Sequence, residues 1–177
     1  MQSNLKQILF SVIFIAFSCL TVTAQIQKPT VEVPTIKYCD IVREPTLYDG
    51  KLIRVEAFYT FGFEASFMYE ESCADKLGYT WISFDPEIEK TTKPETWKKY
   101  QNLTQEVFAG QPQDRANCKL RRLRFLWTGI FTGIKPTVKV GERIVSQGFG
   151  HMNSYSFKFT VREIEEITKV EESVPCN

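Results

Sequence analysis

Histidine is almost missing from this chain: His151 is the single imidazole in 177 residues. A His-rich metal centre is therefore excluded, and His151 stands alone as a candidate acid/base group or ligand. Its setting in Gly148-Phe149-Gly150-His151, just before a strand, fits a loop residue whose ring bonds the backbone. Other absences narrow the chemistry further. There is no Gly-x-Ser-x-Gly elbow to expose a nucleophile, and no Cys-x-x-Cys spacing for zinc or redox work. No acidic segment has the glycine-bearing loop of a calcium site. A charge excess is lacking too, with 22 Lys+Arg against 21 Asp+Glu, so no global field draws in nucleic acid or an anionic membrane. The longest apolar run, Ile8 to Val22, is about fifteen residues, short of the roughly 20 that span a bilayer as a helix.

That run has a different meaning. Met1 to Gln7 carries Lys6 and no acid, and Val22-Thr23-Ala24 puts compact side chains where a signal peptidase reads. Residues 1–24 are thus expected to be a signal peptide cleaved near Ala24, with export to the periplasm or medium; a lipoprotein acylated at Cys19 is the alternative. Residues 25–34 form a polar, proline-bearing extended leader, and residues 35–177 one domain with enough chain to bury a core. Lys6 leaves with the signal, so the remaining charges balance. Of the five cysteines, Cys39, Cys73, Cys118 and Cys176 stay in the exported part. An even set in an oxidising compartment predicts two disulfides, with three pairings open.

Periodicity supplies the fold. Thr35 is placed to cap a short helix with Tyr38, Ile41 and Val42 on one face, stopped by Pro45. Tyr48-Asp49-Gly50-Lys51 reads as a tight turn. Ile53, Val55, Ala57, Tyr59 and Phe61 then alternate with Arg54, Glu56, Phe58 and Thr60, as in a half-buried strand. Ala65, Phe67 and Tyr69 repeat the alternation as a hairpin partner, followed by a loop carrying Cys73. Trp81 to Phe84 is a third strand, ended at Asp85-Pro86. Glu87 to Asn117 is expected to be a long insertion, part loop and part short helix after Pro94 around Trp97 and Tyr100. Arg121, Leu123, Phe125, Trp127, Gly129 and Phe131 share one face of the clearest strand, and Gly129 and Gly133 let it coil. Val138 to Ile144 is a candidate hairpin, Tyr155 to Arg162 a last strand, and Glu163 to Glu172 a charged tail.

Five strands with an insertion between the third and fourth, and no long amphipathic helix, match the order of an oligonucleotide/oligosaccharide-binding (OB) barrel. The fold expected is mostly β: a small closed or partly open OB-like barrel with a short N-terminal helix and a long, partly helical insertion. The run Cys39-Asp40-Ile41-Val42, then Pro45, Tyr48-Asp49-Gly50-Lys51-Leu52-Ile53-Arg54-Val55, the later Cys73, and Phe149-Gly150-His151-Met152-Asn153-Ser154-Tyr155 together resemble a group of uncharacterised exported bacterial proteins with OB-like barrels. The resemblance implies a fold and an envelope location, and carries over no reaction or catalytic residue. It also implies pairing of Cys39 with Cys73, which leaves Cys118 for Cys176.

Three functional readings follow. The first is a non-catalytic, envelope-associated binding domain with no cofactor or metal, its partner a protein or a small polar or polymeric ligand. The second is a hydrolase using surface carboxylates or His151. The third is a weak binder of nucleic acid or acidic glycan. Lys119, Arg121, Arg122 and Arg124 are the densest basic cluster, and Arg122 and Arg124 share the solvent phase of their strand, so Lys119, Arg122, Arg124 and His151 are the candidate binding residues. A charge-blunted edge strand accounts for the same cluster. Trp127, on the apolar phase, is expected in the core, and the grouped carboxylates Glu70 and Glu71, Asp85 to Glu89, and Glu163 to Glu166 on solvated faces.

Overall fold

A computed structural model describes residues 32–62, 64–114 and 119–173. The chain is a closed five-stranded barrel with a few helices against it. It starts with β1 (Thr35–Lys37), which runs parallel to the first barrel strand, with Thr35 opposite Arg54. Thr35 is therefore a strand residue and not a helix cap: α1 (Tyr38–Arg43) is entered from extended Lys37 with no side-chain cap. Tyr38, Ile41 and Val42 do face inward. The Tyr38 hydroxyl lies 3.1 Å from the Met68 carbonyl and 3.1 Å from Thr80 Oγ1, and burial pushes its pKa up. The short α2 (Pro45–Tyr48) leads into the expected turn, where Lys51 N donates to Tyr48 O.

The barrel strands are β2 (Leu52–Phe61), β3 (Ser66–Tyr69), β4 (Thr80–Phe84), β5 (Lys119–Thr132) and β8 (Phe157–Ser173). Their order around the barrel is β2-β3-β4-β8-β5 and back to β2, with β4–β8 parallel and the other pairings antiparallel. This is the OB arrangement expected from the strand count, and the chain between the third and fourth barrel strands is the insertion. Closure leaves no open edge in the barrel.

Four local features depart from the sequence reading. The segment carrying Cys73 is a helix, α3 (Glu71–Leu77), ended at Gly78 with φ +88°; Cys73 and Ala74 are its buried side. The insertion contains α4 (Ile88–Thr91) and a helix far longer than Trp97 and Tyr100 alone imply, α5 (Pro94–Asp114). Its apolar stripe is thin: Trp97, Tyr100, Leu103 and Val107 recur every three or four residues and pack on the core. The charged tail is no tail. It is the second half of β8, which stays paired with β5 until Ser173 meets Lys119. Finally, β6 (Thr137–Val140) and β7 (Arg143–Ser146) form the expected hairpin, but as a separate two-stranded sheet, exposed along its length.

The long β5–β8 ribbon coils because its register slips between Leu126 and Trp127 and again between Thr128 and Gly129. Glu165 and Arg162 are the residues left over, as in β-bulges. At Gly129 an added Cβ would run into the Thr160 carbonyl and come 2.7 Å from the Phe159 ring. Only glycine lets the two strands cross that closely. Inside the barrel Phe125 stacks on Trp127 at 4.4 Å between centroids, and Tyr59 meets both edge-on. Trp127 is fully buried, as its strand phase predicts. Cys39 and Cys73 form a disulfide that ties α1 to α3; Cys118 and Cys176 lie outside the described residues.

Candidate functional site

The arginine ridge is where the structure corrects the sequence reading most. Arg122 is not on a solvent face: it is 8% exposed, with its guanidinium 4.5 Å from the centroid of the outward-pointing Phe58 ring. Glu71 at the start of α3 and Glu172 near the end of β8 each hold one of its terminal nitrogens. Burial alone would lower its pKa, but hydrogen bonds with Tyr69, Glu172 and Glu71 outweigh that, so its charge is held firmly. Arg124 covers the same Phe58 ring at 4.7 Å. It pairs with Glu56 at 2.8 Å and with Glu70 at 2.9 Å.

Two guanidiniums thus face four carboxylates, so neither cation is left unmatched for a phosphate. Of the acids expected on solvated faces, Glu71, Glu87, Glu89 and Glu166 are exposed, Glu71 while it pairs with Arg122. Glu70 and Glu165 are half-buried: Glu70 pairs with Arg124, and Glu165, the bulge residue, accepts from Arg54 at 2.7 Å and from Thr128. Of Lys119 only the backbone is described, opposite Ser173.

A different surface gathers around the second and third barrel strands. Register fixes which residues look outward. Tyr59 is a core residue and sits opposite Met68, so Met68 points in and is buried, while Phe67 and Tyr69 point out. Trp81 is opposite Phe67 in β4 and beside Lys158 in β8. The outward rings form an unbroken path. Phe58 lies 5.7 Å from Tyr69, Tyr69 5.8 Å from Tyr79, Tyr79 4.9 Å from Phe67, Phe67 5.8 Å from Tyr155, and Tyr155 5.1 Å from Trp81. Exposure peaks in the middle of it, from 8% at Phe58 to 41% at Tyr79, and Phe67, Tyr155 and Trp81 beyond are half-buried.

The path ends in a cleft of about 430 Å³. Trp81 lines it together with Glu64 and Ser66, from the β2–β3 connection and the start of β3, and with Gly150 and His151, from the β7–β8 connection. The latter loop is pinned at its base: Phe149 and Tyr155 exchange backbone hydrogen bonds of 2.9 and 3.1 Å. Gly150, Met152 and Asn153 all have positive φ, strained for the two that carry a Cβ. Gly150 sits against the Trp81 indole, so closely that a methyl group there would enter the ring and come 2.8 Å from Tyr155. His151 lies in a loop as expected, and its Nε2 faces Glu64 Oε2 at 3.4 Å, with both side chains about half exposed.

A second, wider depression of about 560 Å³ lies beside Arg124, lined by Tyr38, Cys39, Glu56, Glu70 and Ser72 among others. Burial raises the pKa of Glu70 there, Arg124 opposing it. Among the described residues no group of three His, Cys, Asp or Glu is placed to hold a metal ion, and no helix is long and apolar enough to cross a membrane.

Of the four residues singled out from sequence, His151 reaches the cleft, Arg122 and Arg124 are locked in ion pairs beyond the far end of the ring path, and the Lys119 side chain is not described. Sequence reasoning missed Trp81, Phe67, Tyr79, Tyr155 and Glu64. The signal existed in the pairing of Phe67 and Tyr69 around Met68, but only register says which of the two sets faces out. The chain matches no family model, no curated protein and no solved structure.

Proposed function

We propose that this chain is an exported, non-catalytic binding domain whose ligand lies on the outer face of β3 and β4, between the β2–β3 and β7–β8 connections. The observation that carries this reading is the ring path ending at Trp81 in a cleft framed by those two connections. In OB barrels that face and those loops are where polymeric ligands bind. A row of partly buried rings, with Tyr79 the most open, offers contact area at small conformational cost, and the backbone contact of Gly150 holds Trp81 in place beforehand. Export is supported by the charge, apolar run and small residues at the N-terminus and by the Cys39–Cys73 bridge, which persists in an oxidising compartment.

One observation favours a second reading. His151 and Glu64 at 3.4 Å in the cleft could exchange a proton with a substrate, as a hydrolase requires. Glycosidases use two carboxyl groups flanking the bond, whereas the cleft lining brings in Glu64 alone. The binding reading therefore stands first. Chemical-shift mapping of the isotope-labelled protein, titrated with oligosaccharides, single-stranded oligonucleotides and short peptides, is the test. Perturbations should centre on the Trp81 indole and the residues from Gly148 to Tyr155; a ligand whose perturbations cluster on another face would overturn the placement.

A further inference from the structure

We infer that the Trp81 cleft takes a sugar ring of a neutral oligosaccharide, and that the chain of that glycan runs along Tyr155, Phe67 and Tyr79. This deepens the binding reading above and rests on it. The choice is decided by charge. A strand of nucleic acid also stacks on rings, but its affinity comes largely from cations that replace counterions on the phosphates. Here the two arginines adjoining the ring path are matched by Glu56, Glu70, Glu71 and Glu172.

At the other end, the cleft itself presents a carboxylate, Glu64. Lys158 is the cation that the register puts beside Trp81, and one ammonium against one carboxylate gives no net attraction for a polyanion. The same groups suit a sugar. A carboxylate accepts from hydroxyl pairs, an imidazole and an ammonium donate to them, and the apolar C–H face of a pyranose lies flat on an indole. Phosphates lack the hydroxyl hydrogens that Glu64 would accept. The rings are continuous as well: successive centroids of 5.1, 5.8 and 4.9 Å from Trp81 to Tyr79, tilted by 33° to 62°, carry the apolar surface on from the cleft.

The test is isothermal titration of the protein lacking residues 1–24, carrying its disulfide, with cellohexaose, chitohexaose, maltohexaose and xylohexaose, and with a dT12 oligonucleotide at low and at physiological salt. At least one hexasaccharide should bind with an affinity insensitive to salt. Trp81→Ala should weaken it about ten- to a hundredfold, and Glu64→Gln should weaken it less. Since Trp81→Ala could disturb the barrel, Tyr79→Ala at the exposed middle of the path serves as a second variant, and far-UV circular dichroism checks both.

Hexasaccharide binding unchanged in both folded variants would overturn the inference. So would tight, salt-dependent dT12 binding lost in Trp81→Ala with no hexasaccharide bound. The latter result would leave the binding face in place and change only its ligand class. Absence of binding by every hexasaccharide, with a peptide mapping to the same face, would likewise remove the glycan and keep the surface.

Discussion

The two ends of the ring path are built from similar materials and have opposite characters. At the β5 end, Phe58 is covered by two guanidiniums, and each guanidinium is held by two carboxylates from other elements. At the β4 end, Trp81 also meets a cation and an acid, but Glu64 and His151 stay half exposed around an open cleft. In the first arrangement both cations are committed to carboxylates of the chain itself. In the second the acid and the imidazole share one long contact beside an open cleft. Conspicuous charge in a sequence is thus a poor guide to a binding surface when the opposite charges, hidden in distant segments, fold against it.

The most severe way to break the comparison is to remove what both ends stand on. Trp127 lies under the wall, stacked with Phe125 and touched edge-on by Tyr59. Trp127→Ala should cost about 3–5 kcal/mol, the range for emptying a large aromatic site. Denaturant unfolding reads this directly, and a variant as stable as the wild type would mean that the barrel core is not closed around this residue.

Next in size is the arginine end itself. Arg122→Ala strips the cover from Phe58 and leaves Glu71 and Glu172 facing each other without a cation. A fully buried pair cut this way costs about 3–5 kcal/mol. Glu71 and Glu172 have side chains 64% and 44% exposed, and water screens them, so about 1–3 kcal/mol is expected. Ligand affinity at the cleft should not change. If affinity fell sharply while the fold held, the two ends would be one site, and the contrast drawn between them would fail.

These two residues also show what could be read from sequence and what could not. Trp127 was legible because period two holds along β5, and one register fixes every side chain on it. Its partner strand was legible only to Arg162: the bulges at Arg162 and Glu165 set the buried Val161, Ile164 and Ile167 three apart, so the alternation breaks and the remainder looks like a solvated tail. Arg122 was assigned to the outer face correctly, and outer was equated with wet. Glu71 and Glu172, far off in sequence, bury it, and no local pattern announces them. Glu64, the Tyr79–Trp81 stretch and Tyr155 come from three separate segments, and the OB order alone brings them to one place.

A smaller effect comes from Glu70, at the boundary between the arginine end and the wider depression. Burial raises its carboxyl above the ordinary 4.5, with Arg124 opposing and Glu56 and Glu71 adding to the rise. The folded state therefore holds this proton more tightly than the unfolded chain does. Across the window from 4.5 up to the raised value it binds more protons, so stability falls as pH climbs through that window. Other carboxylates add their own slopes, and the difference between wild type and Glu70→Gln isolates this one. The wild type should lose more stability than the variant on going from pH 4.5 towards neutrality; parallel curves would mean that Arg124 compensates the burial completely.

The least effect on stability, and the most informative about function, belongs to His151. Its contact with Glu64 is 3.4 Å long, and both side chains are about half in water, so the pair contributes little to folding. His151→Gln should leave unfolding within about 0.5 kcal/mol of the wild type. Glutamine keeps a donor near Glu64 but cannot act as a general acid or base. If the cleft only binds, His151→Gln should weaken a ligand a few-fold at most, with the loop held by Phe149 and Tyr155 as before. If the cleft is catalytic, some hydrolysis measured in the wild type should vanish in His151→Gln while binding persists. That pattern of binding kept and turnover lost is the one result that would replace the binding domain by an enzyme, because it requires the imidazole's proton and not its shape.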